Sequence, residues 1–579
     1  MPNAVAPPPS PPTAPAKPAE RALPIKAEHR EFTVKVNGQP VPREHALHSV
    51  SVVAAANRIA SAQLAYVDGA AGSGDFPLGK LDLVKPGGTI EILAGSGADP
   101  TLVFKGVIVG QRLRIREASS SMLLIDCRHA ATKLAQVRRS ANFFDQTDGD
   151  VIESLLGAAT VDAQVDATTV THKQLVQHDC TDWDFIVSRA TANGRMVFTR
   201  GEKLAVSEPK IGAAAVQLQF GATLLEFDGG IDARIQAQAV KTVSWNAADQ
   251  AVEAQEGEAP AFQSTGNFQA DALAADAGAD TVLLPHTALD APEGVALASA
   301  VRQRAAIDLA SGRAMCVGIA TVQPGDTVKL GGVGDRFSGD VLVTGVRQVF
   351  DTQKGWKTHL QFGSAEPDPA LRERLQRQRT ADMLAPTAGL QLGVVTDNED
   401  PQGEFRVRVR MPLVNGGDDG VWARVAAADA GNNRGLFFRP EIGDEVLVGF
   451  LDDDPRHPVV LGMLHSSAKP APLTPGNDNH VKGYTSRSGI TLAFDDEKKS
   501  LTLATPAGNT LVLDDQSGGI TISDSNGNKI VLSASGIAIE SAKAFSVKAN
   551  TEMKFESIVG TEVKSIGVVK VAGSALQLG

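Results

Sequence analysis

Eight short runs decide the fold: GITLAF (489–494), SLTLAT (500–505), NTLVLD (509–514), GITIS (519–523), NKIVLS (528–533), GIAIE (536–540), AFSVKA (544–549) and EMKFES (552–557). Each alternates apolar and polar residues. The apolar pairs are Ile490/Leu492, Leu501/Leu503, Leu511/Leu513, Ile520/Ile522, Ile530/Leu532, Ile537/Ile539, Phe545/Val547 and Met553/Phe555. A period of two is the pattern of a strand with one buried face. The runs recur every seven to eleven residues, and Gly, Asn, Asp, Ser and Pro punctuate the first six gaps. The stretch 488–579 therefore reads as a β-solenoid or β-prism. Burial is the constraint on it. Full burial of these side chains, at ~1.5–3 kcal/mol each, is worth roughly 25–50 kcal/mol. The turns, mostly two to four residues long, are too tight for the wide corners of a monomeric coil. Three chains wound about one axis would bury every inner face and leave few free edges. The expectation is an intertwined trimeric needle with every strand hydrogen-bonded across chains.

The remainder of the chain has the composition of an ordinary globular protein. Of 579 residues, 42% are hydrophobic and 21% charged, and the length suits three or four domains. Two tyrosines against 56 glycines favour turns and tight strands over large aromatic cores. A net charge of −12 without a basic stripe argues against nucleic acid as a partner. Three widely separated cysteines, Cys127, Cys180 and Cys316, do not make a disulfide framework. No apolar run reaches the length of a membrane span and no signal peptide is recognised. The chain is thus expected to be cytoplasmic during assembly, and to leave the cell, if it does, by a route without a cleaved leader.

Read in order, residues 1–26 form a disordered Pro/Ala-rich arm that cannot build a core. Residues 27–365 read as β-rich with a few helices. FTVKVNG enters an Asn-Gly turn, and TIEIL, LVFKGVIVGQRLRI and SMLLIDCRHA resemble barrel strands. GDVIESLLGAA has helical spacing of Val151, Leu155 and Leu156. A capped helix follows with Trp183, Phe185, Ile186 and Ala190, and another is expected over GVALASAVRQRAAIDLASG, ending at Gly312. One internal repeat stands out. KPGGTIEIL (85–93) with FKGVIVGQ (104–111) is echoed by QPGDTVKLG (323–331) with FSGDVLVTGVRQVF (337–350), and more weakly by RPEIGDEVLVGF (439–450) with HPVVLGML (457–464). Pro-Gly is common turn chemistry, but two matched strand pairs in the same order point to a duplicated small barrel. Two such units per chain give a trimer six similar units. A polar connector helix at 366–387, an OB-type barrel at 388–466 with turns at Asp400-Pro401, Asn415-Gly416, Asn432-Asn433 and Asp454-Pro455, and a linker at 467–487 lead into the needle at 488–579.

These blocks resemble a known family. GVVTDNEDPQGEFRVRVRMP (393–412), VWARVA (421–426) and FFRPEIGDEVLVGFLDDDPRHPVVLGMLH (437–465) are similar to the OB-fold of VgrG spike proteins of type VI secretion, and to spikes of extracellular contractile injection systems and phage tails. NFFDQTDGDVIESLL (142–156), HDCTDWDFIVSRATANGRMVF (178–198) and QPGDTVKLGGVGDRFSGDVLVTGVRQVFD (323–351) resemble the VgrG and phage late-control hub domain. The resemblance covers nearly all of residues 30–579 in the order hub, OB barrel, needle. It implies a homotrimer whose hub caps a hexameric tail tube and baseplate, a PAAR-type tip protein, effector cargo, and a target membrane on firing. It also shows departures: no lysozyme domain between barrel and needle, no toxin after the needle, no His-x-His tip, and a Pro-rich arm outside the common pattern.

Four constellations were candidates for chemistry. Asp452, Asp453 and Asp454 before Pro455 could hold calcium but read as a solvated acidic turn. Asp524, Asn526 and Asn528 echo a calcium loop, but Gly527 and Ser535 stand at the wrong places and a strand-joining turn is the better reading. Cys127-Arg128-His129 and His178-Asp179-Cys180 set His beside Cys, without zinc spacing or a third partner, and read as core or rim residues. No catalytic, cofactor or metal residue is assigned. The reading is a mainly β, non-enzymatic, membrane-puncturing trimeric spike with an OB collar. A tail-spike glycan depolymerase using paired carboxylates and a trimeric adhesin are the alternatives.

Overall fold

The computed structural model describes residues 31–577 apart from 73, 96–99, 118–119, 264, 287–288, 364–386, 388 and 414–418. The Pro/Ala-rich arm, nearly all of the connector helix and the Asn415-Gly416 turn lie outside the described residues. The fold is mainly β, in two compact units, Met1–Leu464 and His465–Gly579.

In the first unit, strand β1 (Phe32–Val36) runs into the Asn37-Gly38 turn, both at positive φ, which is the conformation a tight hairpin requires. Five strands follow: β2 (Leu47–Ala55), β3 (Ser61–Val67), β4 (Thr89–Ala94), β5 (Thr101–Arg114) and β6 (Met122–Arg128). Then come β7 (Arg138–Thr147), helix α1 (Asp148–Ala158), β8 (Thr171–Thr181) and helix α2 (Asp182–Ala192). Thr147 and Thr181 cap the two helices through their side chains, the role threonine fills well at a helix start. A second set of five follows: β9 (Leu224–Ile231), and then, after helix α3 (Ala291–Asp308), β10 (Ala310–Val317), β11 (Thr327–Gly331), β12 (Gly339–Asp351) and β13 (Gly355–Phe362).

The two sets share one plan. In the first, β2 pairs β3, β3 pairs β6, β6 pairs β5 and β5 pairs β4. In the second, β9 pairs β10, β10 pairs β13, β13 pairs β12 and β12 pairs β11. Even the bulges coincide. The first pair of each set slips between Leu47/Ser49 and between Leu224/Glu226. The long strand slips between Ile108/Gly110 and between Val343/Gly345. Each set has its own apolar core, around Val52, Leu64, Ile92 and Ile125 in one and Ala314, Val328, Val343 and Leu360 in the other. The duplication read from the Pro-Gly segments is thus present, its copies fused into one 13-stranded sheet by the antiparallel pair β2–β12.

One helix boundary differs from the sequence reading. Helix α3 ends at Asp308, and Gly312 lies inside β10. A Cβ on Gly312 would come within 2.3 Å of the Asp228 carbonyl oxygen, so this glycine lets two strands approach closely instead of ending a helix.

Strands β14 (Gln391–Asp397), β15 (Val407–Arg410), β16 (Val421–Val425), β17 (Glu445–Phe450) and β18 (Pro458–Met463) close into a barrel in the order β14-β15-β16-β18-β17. Its interior is small and branched, with Val395, Val407, Val409, Val421, Val446, Val448 and Val460 all buried.

The second unit is an antiparallel meander of seven five-residue strands. These are β19 (Val481–Thr485), β20 (Thr491–Asp495), β21 (Ser500–Ala504), β22 (Thr510–Asp514), β23 (Gly519–Ser523), β24 (Lys529–Ser533) and β25 (Gly536–Glu540). Two expectations are corrected here. The strands are hydrogen-bonded within one chain, not solely across chains. The AFSVKA and EMKFES runs are not strands, since the described residues after Glu540 carry no strand. The short turns explain the first point, because a two- to five-residue connection returns the chain beside itself. The second follows from the definition of a sheet: a single chain offers those last residues no neighbour to bond.

Candidate functional site

Two features of this fold have the makings of function: an apolar face with nothing on it, and a buried ionic joint.

The face belongs to the meander. Its register sets Leu492 opposite Leu503, Leu503 opposite Leu511, Leu511 opposite Ile522, Ile522 opposite Ile530 and Ile530 opposite Ile539. A second ladder runs Phe494, Leu501, Leu513, Ile520, Leu532, Ile537. Both ladders stand on one side of the sheet, since a period of two sends them the same way. No described residue of the second unit is buried. Ile522 is 45% exposed and Ile537 71% exposed. An open groove of about 620 Å³ runs over this face between Ile490 and Phe545. A continuous apolar surface of this kind is an interaction face.

The joint lies in the first unit, where the region around α1 and α2 meets the closed barrel. Asp148, the first residue of α1, is buried. Its Oδ1 accepts from Arg189 Nε at 2.6 Å. Its Oδ2 accepts from Asn193 Nδ2 at 2.7 Å and from Arg189 Nη2 at 3.1 Å, and lies 2.8 Å from His172 Nε2. His172 Nδ1 sits 3.8 Å from Glu293 on α3, and Glu293 Oε1 accepts from Arg456 Nη1 at 2.6 Å. Arg456 also donates to Asp454, Nη2 to Oδ2 at 2.9 Å. Burial alone would raise each of these carboxyls. The facing guanidinium groups outweigh it, so Asp148, Glu293 and Asp454 are held below the usual carboxylate range. Apolar contacts run alongside: Val151, Leu175, Val176 and Phe185 share one core with the barrel's valines, and Arg408 stacks 5.9 Å from the Phe144 ring. The barrel is therefore keyed into the preceding domain by packing and by charge.

The residues singled out in the sequence now have places. The acidic triplet is corrected in part. Asp452 and Asp453 are half-exposed, but Asp454 is buried because Arg456, two residues on, neutralises it. Asp524 closes the turn between β23 and β24. Its oxygens accept from the Asn526 and Asn528 backbone amides, both at 2.9 Å, and from Asn528 Nδ2 at 2.7 Å, which pulls its carboxyl down to about 2. Cys127 and Cys180 are buried, and desolvation pushes both thiols up to about 12. Thiols so placed are poor nucleophiles. His129 Nδ1 accepts from the Ala131 amide and its Nε2 lies 3.0 Å from the Glu202 carbonyl, a capping role. His178 sits at a bulge of β8, its pKa lowered by burial. The joint was missed in the sequence. Asp454-Pro-Arg456 was the available signal, but nothing there announced Glu293, 163 positions away.

Comparison with known proteins adds three family matches in chain order. A family model described as the Alg8 N-terminal domain matches residues 26–351. The type VI secretion system/phage-baseplate injector OB domain matches 391–465, and the phage baseplate V C-terminal trimerisation domain matches 500–557. Among curated proteins, the type VI secretion system spike protein VgrG4b of Pseudomonas aeruginosa is 41% identical over 75 residues, 13% of this chain and 9% of that protein. VgrG5 of the same organism is 36% identical over 130 residues, 21% of this chain and 16% of that protein. The aligned segments thus span less than a fifth of these relatives' length. Among solved structures, a chain of the Francisella PdpA–VgrG complex in its half-lidded form aligns with 88% of this chain and 88% of its own length, at a TM-score of 0.51 and 8% identity. That likeness is one of fold.

Proposed function

We propose that this chain, which belongs to the family of the Alg8 N-terminal domain and to the VgrG-type spike family of contractile injection systems, is the homotrimeric central spike of such a machine. The observation that carries the reading is the unburied apolar face of the second unit. A ladder of Leu and Ile running through β20–β25 with no buried residue beneath it is stable only when covered, and two further copies of the same ladder fit it by symmetry. The bare residues after Glu540 support the same reading, because strands from neighbouring chains would satisfy their backbone groups.

The role proposed is mechanical and non-enzymatic. In the family's manner, contraction of a sheath would drive the spike through a target membrane. The 13-stranded sheet, with its two like halves, would supply six similar units per trimer for a sixfold tube and baseplate. The closed barrel would act as a collar, fixed to the sheet region by the shared core and the Arg456–Glu293 pair. Yielding there means separating several buried contacts at once, so thrust would pass without bending. A PAAR-type tip and effector cargo are the partners this role calls for.

The test is assembly in the native host. Deleting the coding sequence should abolish contractile particles seen by electron microscopy. Wild-type chain should restore them, and the Ile522→Asp/Leu532→Asp chain should not. Normal, firing-competent particles in the deletion strain would overturn the proposal.

A further inference from the structure

A small sheet lies in the chain between β9 and β10, and one of its sides is bare. Its central strand is Ala237–Asn246, with Ala251–Glu256 antiparallel on one side and Ala279–Pro285 parallel on the other. Val240, Thr242 and Ser244 of the central strand are buried. They lie toward α3, where a Cβ on Gly294 would come within 2.7 Å of the Thr242 hydroxyl. The alternate residues face the other way. The register sets Trp245 opposite Val252 and Val243 opposite Ala254 on one side, and Val243 opposite Pro285 and Lys241 opposite Leu283 on the other. None of these residues is buried. Trp245 is 41% exposed and Val252 67%, whereas Trp183 and Trp356 are buried. An indole held out on an apolar sheet face marks a contact surface.

The margin of this face is acidic. Residues 249–258 hold Asp249, Glu253, Glu256 and Glu258 and no Lys or Arg. Lys241 of the central strand pairs with Glu256 at 3.0 Å. The Pro/Ala-rich segment 1–30, which precedes the described residues, has the opposite balance: Lys17, Arg21, Lys26 and Arg30 against Glu20 and Glu28, in a chain whose net charge is −12. Its prolines also have a period. Pro9, Pro12, Pro15 and Pro18 recur every third residue. A polyproline II helix makes one turn in three residues, so that spacing gathers the four prolines on one edge. Proline edges of this kind dock against exposed aromatic side chains, and they lose little entropy because the helix is preformed. Thirteen residues separate Pro18 from Phe32, a tether of up to ~45 Å.

We propose that the Pro9–Pro18 stretch of the N-terminal arm docks across the Trp245 face, its prolines against the indole and Val252, with Lys17 and Arg21 toward the acidic margin. Shape and charge both favour the arm as occupant: the face offers one aromatic platform with carboxylates beside it, and the arm offers a proline edge with cations beside it. This inference goes beyond the spike reading and does not depend on it. It gives the arm, which that reading leaves without a role, a place on its own protein.

Photo-cross-linking in the full-length chain tests it, with p-benzoylphenylalanine in place of Ala14. After irradiation, peptide mass mapping should find the cross-links within residues 239–256 and 279–285. Trp245→Ala, a change at an exposed side chain whose fold is checked by circular dichroism, should cut their yield at least fivefold. Replacing Pro9, Pro12, Pro15 and Pro18 together by Ala should do the same. A synthetic peptide of residues 5–22 in excess should compete the cross-link away. A product with the mass of one chain assigns the arm to its own copy and one with the mass of two chains to a neighbour's, and either supports the docking. An absence of cross-links, cross-links mapping to other surfaces, or a yield unchanged by Trp245→Ala would overturn the proposal and leave the face to another partner.

Discussion

Asp148 gathers three side-chain partners on one carboxylate oxygen, and through His172 and Glu293 that cluster reaches Arg456 of the closed barrel. A network of this kind is costly to break from one side, because the partner left behind keeps its charge in a dry place. Arg456→Met leaves Glu293 and Asp454 buried without the guanidinium they share. It should cost about 3–5 kcal/mol, read as a lower midpoint in denaturant unfolding of the full chain, with the barrel exposed early to protease. The pH dependence follows from the direction of the shifts. Carboxyls whose folded pKa is depressed contribute stability above their unfolded values and lose it as pH falls through the folded ones. With Asp148, Glu293 and Asp454 all depressed, the thermal midpoint should be flat above about pH 5 and fall below about pH 4. Glu293→Gln should shrink the acid-side fall, as followed by calorimetry across that range. None of this was legible in the chain as written. The acidic triplet and Arg456 were visible, but the burial of that pair depends on helix α3, which brings Glu293 onto Arg456 only in the folded state.

Elements were far more legible than sites. Turn spacing pointed to the closed barrel, and alternation located six of the seven strands of the meander, because a half-buried strand has to alternate. Helices α1 and α2 were signalled by the spacing of their apolar residues, and the structure adds the Thr147 and Thr181 caps. The failures have physical causes. Gly312 looks like a helix stop in sequence, but a glycine is equally required where strands touch, and only the Asp228 carbonyl 2.3 Å from its missing Cβ tells the two apart. AFSVKA and EMKFES alternate as well as any strand, yet alternation describes a face, while a strand also needs a bonded neighbour. At this scale the account predicts that Ile522→Asp/Leu532→Asp, which sets charges within the two apolar ladders of β23 and β24, leaves the first unit folded and turns the assembly into single chains. Sedimentation velocity measures the loss, and near-unchanged circular dichroism of the strands of residues 31–464 separates it from general unfolding. A double variant that remained assembled would mean the ladder is not the contact.

For the whole molecule, what matters is how little of the second unit can stand alone. The meander has no buried residue among those described, and on the proposed reading other copies of the chain would complete its core. The molar mass of the full-length chain in solution, by size-exclusion chromatography with light scattering, tests this most directly. The account predicts the mass of three chains, held on dilution into the low micromolar range. A well-folded protein with the mass of one chain would contradict it.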